Sequence, residues 1–411
     1  STEAHWRNRP EPDQPFFAVF NPTVTHESGM WPEKCPDPTF DPADMELPPY
    51  FPDTPRVREA MARMYTNIEQ NDRTLGKLLQ QLEEDGLADN TYVFHWSDHG
   101  PMPRGKRWPY DSGIHVPLIG RGPGIEPGKV NPNLVSTVDL GPTMLSLAGL
   151  DIPPHMQGRA FMGEQAEVPR EYIYATRDRY DESYDMVRAV RDRRFKYIRN
   201  CRPELPYLLW IPYRNRHPII QEMWRLHMDG ELDEAQSLMF RCPRPVEELY
   251  DTENDPYEIN NLADDPEYQE DLARLSDELE AWLEEVGDKG EIPESEMVRQ
   301  WYPDGEQPRT ASPVPIPICA ENPGTRPAGD TETLRAPVLV QLHCATQGAS
   351  IAYTFESGDS PAWQLYTEPL RLEPGETQLR ARAIRIGYEE SEETRVAFQV
   401  EPGDGSEAWG D

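Results

Sequence analysis

A carboxylate, an imidazole and a lysine lie close together in the sequence, directly after an apolar run. Asp98 and His99 follow the run at 91–96, and Lys106 comes shortly afterwards. In an open α/β sheet, ligands bind at the carboxyl ends of the strands, so these side chains would point into a crevice. A carboxylate and an imidazole can both bind a divalent cation, and a lysine suits an anionic oxygen. The alternative is an Asp-His-Gly turn that only ends a strand.

The segments around these residues predict strands and a long helix. Residues 15–21 form a short apolar run that ends in a turn signal, which fits a buried strand of a parallel sheet. Residues 56–86 repeat apolar side chains at helical spacing, and residues 91–96 predict a second strand. The order strand, helix, strand is typical of a βαβ unit with a right-handed crossover.

Changes in pattern divide the chain into four parts. The α/β pattern extends over residues 1–165, and residues 166–290 combine predicted strands with a periodic acidic helix. Residues 291–332 have the Pro- and Gly-rich composition of a linker. Residues 333–402 show short strands with alternating apolar side chains, which predicts a small β-sandwich.

The net charge excludes some classes of partner. The 411 residues include 40 Lys and Arg and 74 Asp and Glu, which gives a net charge of −34. This charge argues against nucleic acid and against an anionic membrane surface, because both would repel the protein. A protein of this charge that binds a polyanion must therefore carry its basic groups locally, in the pocket.

The apolar runs and the cysteines exclude further features. No run of about 18 apolar residues is present, so no transmembrane helix is expected, and the first residues lack the features of a signal peptide. The five cysteines show no Cys-x-x-Cys spacing, which argues against a zinc cluster. Cys201 and Cys242 could pair, but their spacing does not decide this.

Longer motifs resemble those of the type I sulfatases, a family of the alkaline-phosphatase superfamily. Ser-Asp-His-Gly at 97–100 is followed by Lys-x-Trp-x-Tyr-Asp-x-Gly-x-x-Val-Pro-Leu at 106–118. Val-Ser-Thr-Val-Asp-Leu-Gly-Pro-Thr at 135–143 is similar to a later segment of the family, and residues 186–262 resemble its small C-terminal sheet and closing helix. The resemblance covers about residues 15–285 and is strongest for bacterial heparan N-sulfatase-like members.

The resemblance implies a fold and a cellular location. It predicts an α/β fold, an alkaline-phosphatase-like sandwich with a central mixed sheet whose N-terminal part the chain is expected to lack. A small α+β subdomain and a β-sandwich module follow. Residues 348–391 of that module resemble the immunoglobulin-like domain at the C-terminus of chitobiases and β-hexosaminidases. Such a module suggests an extracytoplasmic protein, either periplasmic or secreted.

The resemblance also implies roles for individual residues. Asp98 and His99 match ligands of the family's divalent metal, for which Ca²⁺ is favoured over Mn²⁺ or Mg²⁺. Lys106 and His26 match catalytic groups that bind the oxygens of the sulfate. The family's nucleophile is a formylglycine made from Cys or Ser before x-Pro-x-Arg, a motif absent here. The formylglycine is therefore expected on an N-terminal part that this chain lacks, and an N-terminal fragment of the same protein is a candidate partner.

Arg177 and Arg179 belong to a segment, residues 174–181, that is dense in Arg and Asp. Such a cluster in an acidic protein could bind sugar carboxylates or sulfates. A solvated loop of salt bridges is the alternative.

Taken with the resemblance, these residues predict a hydrolase of sulfuric esters or sulfamates that acts on sulfated carbohydrate. Two alternatives are compatible with the same residues. One is a non-catalytic carbohydrate-binding protein derived from a sulfatase. The other is a phosphodiester or phosphonate hydrolase of the same superfamily.

Overall fold

The computed structural model of the chain describes residues 5–403, except residues 10, 12, 102, 182, 303, 304, 320 and 368. The chain divides into an N-terminal unit, Ser1–Gly290, and a C-terminal unit, Glu291–Asp411. The α-helices are α1 (Pro55–Glu84), α2 (Asp111–Ile114), α3 (Leu140–Leu147), α4 (Pro218–Asp229), α5 (Glu234–Ser237), α6 (Gln269–Val286) and α7 (Glu294–Trp301). The strands of the N-terminal unit are β1 (Val93–Trp96), β2 (Leu118–Arg121), β3 (Ile173–Tyr180), β4 (Ser183–Arg191), β5 (Phe195–Asn200) and β6 (Glu247–Asp251). Those of the C-terminal unit are β7 (Val314–Ile318), β8 (Thr331–Arg335), β9 (Val338–His343), β10 (Ser350–Thr354), β11 (Gln364–Leu365), β12 (Leu370–Leu372), β13 (Gly375–Ile384) and β14 (Thr394–Glu401).

Helix α1 has clear signals at both of its ends. The Thr54 side chain accepts a hydrogen bond from the Val57 amide, and Pro55 occupies the first turn, where its missing N–H is not needed. Gly86, with a φ of 68°, follows the end of the helix. The helix predicted at 56–86 is therefore confirmed.

Strands β3 to β6 form an antiparallel sheet in the order β3-β4-β5-β6. On one face, Val190 and Tyr197 belong to a core with Leu275 and Leu279 of α6. On the other face, alternate side chains such as Ala189 join the core that α1 and α4 line. Each fully buried apolar side chain contributes about 1.5–3 kcal/mol. The sheet is therefore the layer that holds the helices of this unit together.

The apolar run at 15–21 is not a strand, so the prediction of a buried parallel strand is wrong. Phe17 and Val19 are 76% and 52% exposed, and no strand among the described residues pairs with this segment. A parallel strand is stable only when neighbouring strands take its hydrogen bonds and helices cover its faces. Without such neighbours, the predicted βαβ unit is also absent from the part of the chain that the structure describes.

Strand β1 is confirmed, and it pairs with β2 in antiparallel register. The chain combines helices with several sheets, which confirms the α/β class. Within the described residues, however, the sheet whose strands flank the predicted site in sequence consists of these two strands. The central mixed sheet that the resemblance predicts is therefore not formed by the described residues themselves.

Two sheets of the C-terminal unit pack face to face. One has the order β11-β10-β13-β14-β8 and the other the order β12-β9-β7. Leu342 of β9 and Val396 of β14 come from different sheets and belong to the same buried core. The predicted β-sandwich module is therefore confirmed.

The linker predicted at residues 291–332 contains regular structure, which corrects that prediction. Helix α7, strand β7 and the start of β8 lie within it. Strand β7 has the sequence Val-Pro-Ile-Pro-Ile and lies at the edge of its sheet, beside β9. Proline has no N–H to donate and is tolerated at such an edge. Pro315 and Pro317, two of the prolines that suggested a linker, therefore belong to an edge strand.

Two further features concern the membrane and the cysteines. Among the residues that the structure describes, no helix combines the length and the apolar character that crossing a bilayer requires. All five cysteines are free thiols, so Cys201 and Cys242 are not paired with each other.

Candidate functional site

The loop between β1 and α2 carries Asp98, His99 and Lys106, and close backbone contacts hold its shape. The amide of Gly100 donates to the Gly113 carbonyl at 2.8 Å. A Cβ atom added at Gly105 would lie 1.7 Å from a backbone carbonyl oxygen of the same loop. Glycine is therefore required where the two arms of the loop approach each other.

A buried salt-bridge network attaches this loop to the four-stranded sheet. The ammonium of Lys196, on β5, is fully buried and lies 2.5 Å from Asp111 Oδ1 and 2.6 Å from Glu258 Oε1. The Asp111 amide donates to Glu258 Oε2 at 2.6 Å. Arg104 donates to the backbone carbonyls of Tyr257 and Glu258 at 2.5 and 2.6 Å. We call Lys196, Asp111 and Glu258 the Lys196 network; it fixes the loop to the sheet.

The two carboxylates of the Lys196 network have different pKa values. Burial raises the pKa of Asp111, but the charges of Lys196 and Arg191 outweigh it and hold that pKa below its ordinary value. For Glu258, burial raises the pKa above its ordinary value, and the charge of Lys196 offsets this only in part. Asp111 is therefore an ionised structural partner of Lys196.

Asp98 and His99, the predicted metal ligands, face each other after the end of β1. The distance from His99 Nε2 to Asp98 Oδ2 is 3.5 Å, and the Asp98 side chain is 85% exposed. His99 Nδ1 lies 2.9 Å from the Gly100 carbonyl oxygen. Because a carbonyl oxygen can only accept, this hydrogen bond places a proton on Nδ1, so Nε2 is the ring nitrogen that could bind a cation.

This pair fits part of a divalent-cation site. A carboxylate oxygen and an imidazole nitrogen are both suitable donors. No cluster of three or more His, Cys, Asp or Glu side chains that could hold a metal occurs among the described residues. Ca²⁺ takes about six to eight ligands, so a cation bound here needs donors beyond Asp98 and His99.

Glu27 brings the segments of His26 and Lys106 together. Its carboxylate is 3% exposed and lies 3.5 Å from Lys106 Nζ and 3.4 Å from Arg107 Nη1. His26 is exposed, and its Nδ1 accepts a hydrogen bond from the Ser28 amide at 3.4 Å. The Lys106 side chain is 28% exposed. Both predicted sulfate-binding groups therefore reach solvent beside one buried carboxylate.

The structure gives Arg177 and Arg179 different surroundings. A register shift between them in the β3–β4 pairing turns their side chains to different neighbours. Arg177 is buried, and its Cζ lies 5.1 Å from the centroid of the Trp108 ring. The Cζ of Arg179 lies 4.8 Å from the centroid of the Tyr184 ring. Arg177 therefore contacts the loop that carries Lys106, whereas the ring contact of Arg179 is with β4.

Three charged residues of this region were not predicted from the sequence: Glu27, Arg107 and Arg214. Glu27 and Arg107 adjoin predicted residues, so a search of their neighbours could have found them. Arg214 is 1% exposed, and its Cζ lies 5.5 Å from the Trp108 ring centroid. It lies in a short 3₁₀ turn, Arg214–Arg216, of the segment 200–245, for which the sequence pattern predicted no regular element.

Comparison with known proteins identifies the family of this chain. The family model described as Sulfatase matches residues 6–150, and the model described as N-sulphoglucosamine sulphohydrolase, C-terminal, matches residues 99–210. An ulvan-active sulfatase of Formosa agariphila is 40% identical over 97% of this chain and 70% of its own length. The human N-sulphoglucosamine sulphohydrolase is 30% identical over 67% of this chain and 58% of its own length.

The chain thus spans only part of each of these relatives. A solved structure of a 2-O GAG sulfatase is 22% identical, with a TM-score of 0.43, over 60% of this chain and 50% of that one. The family models and the two relatives confirm the resemblance that the motifs predicted. The chain therefore belongs to the sulfatase family of sulfuric ester hydrolases.

Proposed function

We propose that this chain supplies the sulfate-binding side of a sulfuric ester or sulfamate hydrolase that acts on sulfated carbohydrate. One observation carries the proposal: Glu27 joins the segment of His26 to Lys106, on the loop that also bears Asp98 and His99. The net charge of the chain is −34. An anionic substrate therefore requires such a local group of basic side chains.

The chemistry follows from the types of these side chains. The ammonium of Lys106 and the imidazole of His26 bind the sulfate oxygens and neutralise the charge that develops on them as the bond from sulfur to the sugar breaks. Asp98 and His99 act as metal ligands, with Ca²⁺ favoured over Mn²⁺ or Mg²⁺. When bound, such a cation supplies positive charge that stabilises a deprotonated nucleophile. The proposal places that nucleophile, a formylglycine, and the remaining metal ligands on a further part of the protein, such as an N-terminal fragment.

Sulfated carbohydrate is the proposed substrate class because the two relatives are described as ulvan-active and as acting on N-sulphoglucosamine. Arg177 and Arg179 are proposed to bind further anionic groups of the carbohydrate. A location outside the cytoplasm, periplasmic or secreted, is proposed because polymeric carbohydrates are encountered there.

A second candidate function is the binding of sulfated carbohydrate without catalysis. One observation favours it: Lys106, held beside Glu27, can bind a sulfate by charge alone, without any nucleophile. Hydrolysis of phosphodiesters or phosphonates would use the same metal ligands and anion-binding side chains. The rates on phosphate and sulfate esters must therefore be compared to distinguish the two activities.

The variant Lys106→Ala tests the proposal. We expect the protein expressed from its complete gene, in a host that forms formylglycine, to hydrolyse aryl or sugar sulfates. In Lys106→Ala we expect kcat/KM to fall about 10²- to 10³-fold, because a charge that stabilises the transition state is lost. Lys129→Ala serves as the control, since Lys129 is 67% exposed and pairs with the exposed Glu126; its kcat/KM should not change.

Aryl phosphate is measured beside aryl sulfate in the same assay. A clear preference for phosphate would contradict the sulfatase proposal. Binding of sulfated carbohydrate without turnover, by the complete and modified protein, would favour the non-catalytic alternative.

A further inference from the structure

Two buried guanidinium groups lie against the same indole ring, that of Trp108. The Cζ atoms of Arg177 and Arg214 are 5.1 and 5.5 Å from its centroid. Arg177 is 6% exposed and Arg214 is 1% exposed. Trp108 follows Lys106 by two positions in the sequence, so both arginines lie beside the loop that carries the predicted sulfate-binding lysine.

Neighbouring buried arginines have carboxylate partners. Arg107 donates to Asp181 Oδ2 from Nε at 3.0 Å and from Nη2 at 2.7 Å. Arg244 donates to both carboxylate oxygens of Asp185, at 2.9 and 2.7 Å. Arg177 also approaches Asp185, at 3.3 Å from its Nη1. One carboxylate, that of Asp185, thus serves two arginines, Arg177 and Arg244.

Arg214 differs from these arginines because no carboxylate of the described residues forms a salt bridge with its guanidinium. Its Nε, Nη1 and Nη2 are all buried, and none makes a hydrogen bond of ordinary geometry to a described residue, although the Tyr180 hydroxyl lies close enough to raise the pKa of Arg214. The nearby hydroxyl of Tyr180 already accepts a hydrogen bond from Arg177 Nη2. Trp108 Nε1 and Arg177 Nε are likewise buried donors without an acceptor. A set of unused donors therefore surrounds the indole ring.

Such a set of donors requires an explanation, because buried polar groups are normally hydrogen-bonded. Burial lowers the pKa of Arg214 to about 10, and the charges of Arg107 and Arg177 act in the same direction. Arg214 therefore still carries its charge at neutral pH. A buried cation without a counter-charge is unfavourable. The planar fork of arginine matches the two oxygens of a carboxylate or sulfate, so an oxyanion is the ligand that fits.

We propose that Arg214, with Arg177 and Trp108 Nε1, binds a second oxyanion of the substrate, beside the sulfate that Lys106 and His26 hold. This inference rests on the proposed function and deepens it, since it makes the substrate a carbohydrate with at least two anionic groups. The second group is a sugar carboxylate or a further sulfate, because both present two oxygen atoms that can accept hydrogen bonds from one guanidinium.

The position of Arg214 relative to the other predicted groups supports this assignment. The ring of Tyr213, the residue before Arg214, lies 6.2 Å from the ring of His26. Tyr180 and Tyr213 are half-buried, and Trp210 is 65% exposed. The exposed ring of Trp210 suits the apolar face of a sugar.

The experiment measures binding to the 411-residue chain by titration calorimetry. The ligands are a monosulfated disaccharide with a uronate, its carboxyl-reduced counterpart, a disulfated neutral disaccharide, and the sulfate-free uronate disaccharide. The variant is Arg214→Met, and circular dichroism checks that it is folded. The control is Arg216→Met, because Arg216 lies on the same segment and also contacts an indole ring, that of Trp31, but is 60% exposed.

We expect the wild type to bind a two-anion ligand about 10- to 100-fold more tightly than the carboxyl-reduced, one-anion ligand, as charge-assisted hydrogen bonds suggest. Arg214→Met should abolish this preference, and Arg216→Met should keep it. Preference for the uronate ligand identifies a carboxylate, and preference for the disulfated ligand identifies a second sulfate. If Arg214→Met does not fold, Arg214→Lys replaces it, since a lysine keeps the charge but lacks the fork, and most of the preference should still disappear.

Equal affinity of the wild type for one-anion and two-anion ligands would overturn the inference and leave the proposed function intact. A preference that persists in the folded Arg214 variant would overturn it as well. A failure of the proposed function alone would give a different result. In that case the sulfate-free uronate would bind through Arg214, added sulfate would not change the affinity, and the complete protein would show no turnover. The oxyanion site would then stand, and the sulfatase proposal would be contradicted.

Discussion

His217 is a buried ionisable residue behind the candidate site whose charge state is set by its surroundings. Its Nδ1 accepts a hydrogen bond from the Ile219 amide at 3.2 Å, which caps α4. Its Nε2 lies 3.3 Å from the sulfur of Met30. Burial lowers the pKa of His217 to about 4, so the imidazole is neutral at pH 7.

The depressed pKa of His217 predicts a loss of stability in mild acid. In the unfolded chain the imidazole has a pKa of about 6.5, so between pH 6.5 and 4 the unfolded state binds more protons than the folded state. The contribution of His217 is therefore fully present above pH 6.5 and is lost as the pH falls, by about 3 kcal/mol near pH 4. The measurement is urea unfolding of the wild type at pH 7 and pH 4.5.

The matched variant is His217→Asn, which keeps a capping side chain but cannot be protonated. We expect the free energy of unfolding to fall by about 2 kcal/mol less in this variant than in the wild type over the same pH interval. If both proteins lose the same amount, His217 does not titrate on unfolding in the way proposed.

The residues of the candidate site were predictable to different degrees. Asp98 and His99 could be found because they are adjacent in sequence and follow a strand, so their proximity is local. Arg214 could not be found, because its position against Trp108 depends on how the short turn before α4 packs on a loop that is distant in sequence. Residue type and spacing thus reveal groups that one loop supplies, whereas groups from separate segments require the tertiary structure.

At the scale of elements, the Lys196 network determines where the loop of Lys106 lies. Lys196 belongs to the buried strand β5, and Asp111 begins helix α2, directly after the loop. A buried cation between two carboxylates is strongly favoured only while all three are present. The network therefore holds the loop at a fixed position relative to the sheet.

The variant Lys196→Met should destabilise the chain by about 3–5 kcal/mol, because it leaves two buried carboxylates without their shared cation. Arg199→Met, on the same strand, removes a pair with Glu280, which is 67% exposed. Its loss should be about 0–1 kcal/mol, as for a surface salt bridge. Denaturant unfolding measures both. Arg191 Nη1 also lies 3.3 Å from Asp111 Oδ2. Similar losses of unfolding free energy in the two variants would mean that Arg191 alone is enough to neutralise the charge of Asp111.

Elements were predictable where their signals are local. Helix α1 carries its own cap, first-turn proline and apolar periodicity, so its bounds follow from the sequence. The run at 15–21 has the composition of a buried strand, but a strand also needs partners, and composition does not reveal whether they are present. For the same reason the prolines of β7 were misinterpreted, because only the pairing shows that β7 lies at an edge.

At the scale of the whole molecule, the chain consists of two units with separate buried cores. The core of the C-terminal unit contains Leu342, Leu379, Val396 and Phe398, each at most 4% exposed. The sequence predicted a change of pattern near residue 290, because helical periodicity gives way there to a Pro-rich composition. It placed the start of the β module too late, since the edge strand β7 has an unusual composition.

A unit with its own core should fold by itself, so we expect residues 291–411 to form a stable domain when expressed alone. The fragment should show a β-type circular dichroism spectrum and one cooperative unfolding transition. Phe398→Ala provides the matched variant: Phe398 is 1% exposed, and truncation of a core aromatic costs about 3–5 kcal/mol, so the transition should move to much lower denaturant. A control at the surface is Ile386→Ala, since Ile386 is 80% exposed and its removal should leave the midpoint nearly unchanged. A fragment without a cooperative transition, or one in which both variants behave alike, would mean that this core does not suffice for folding.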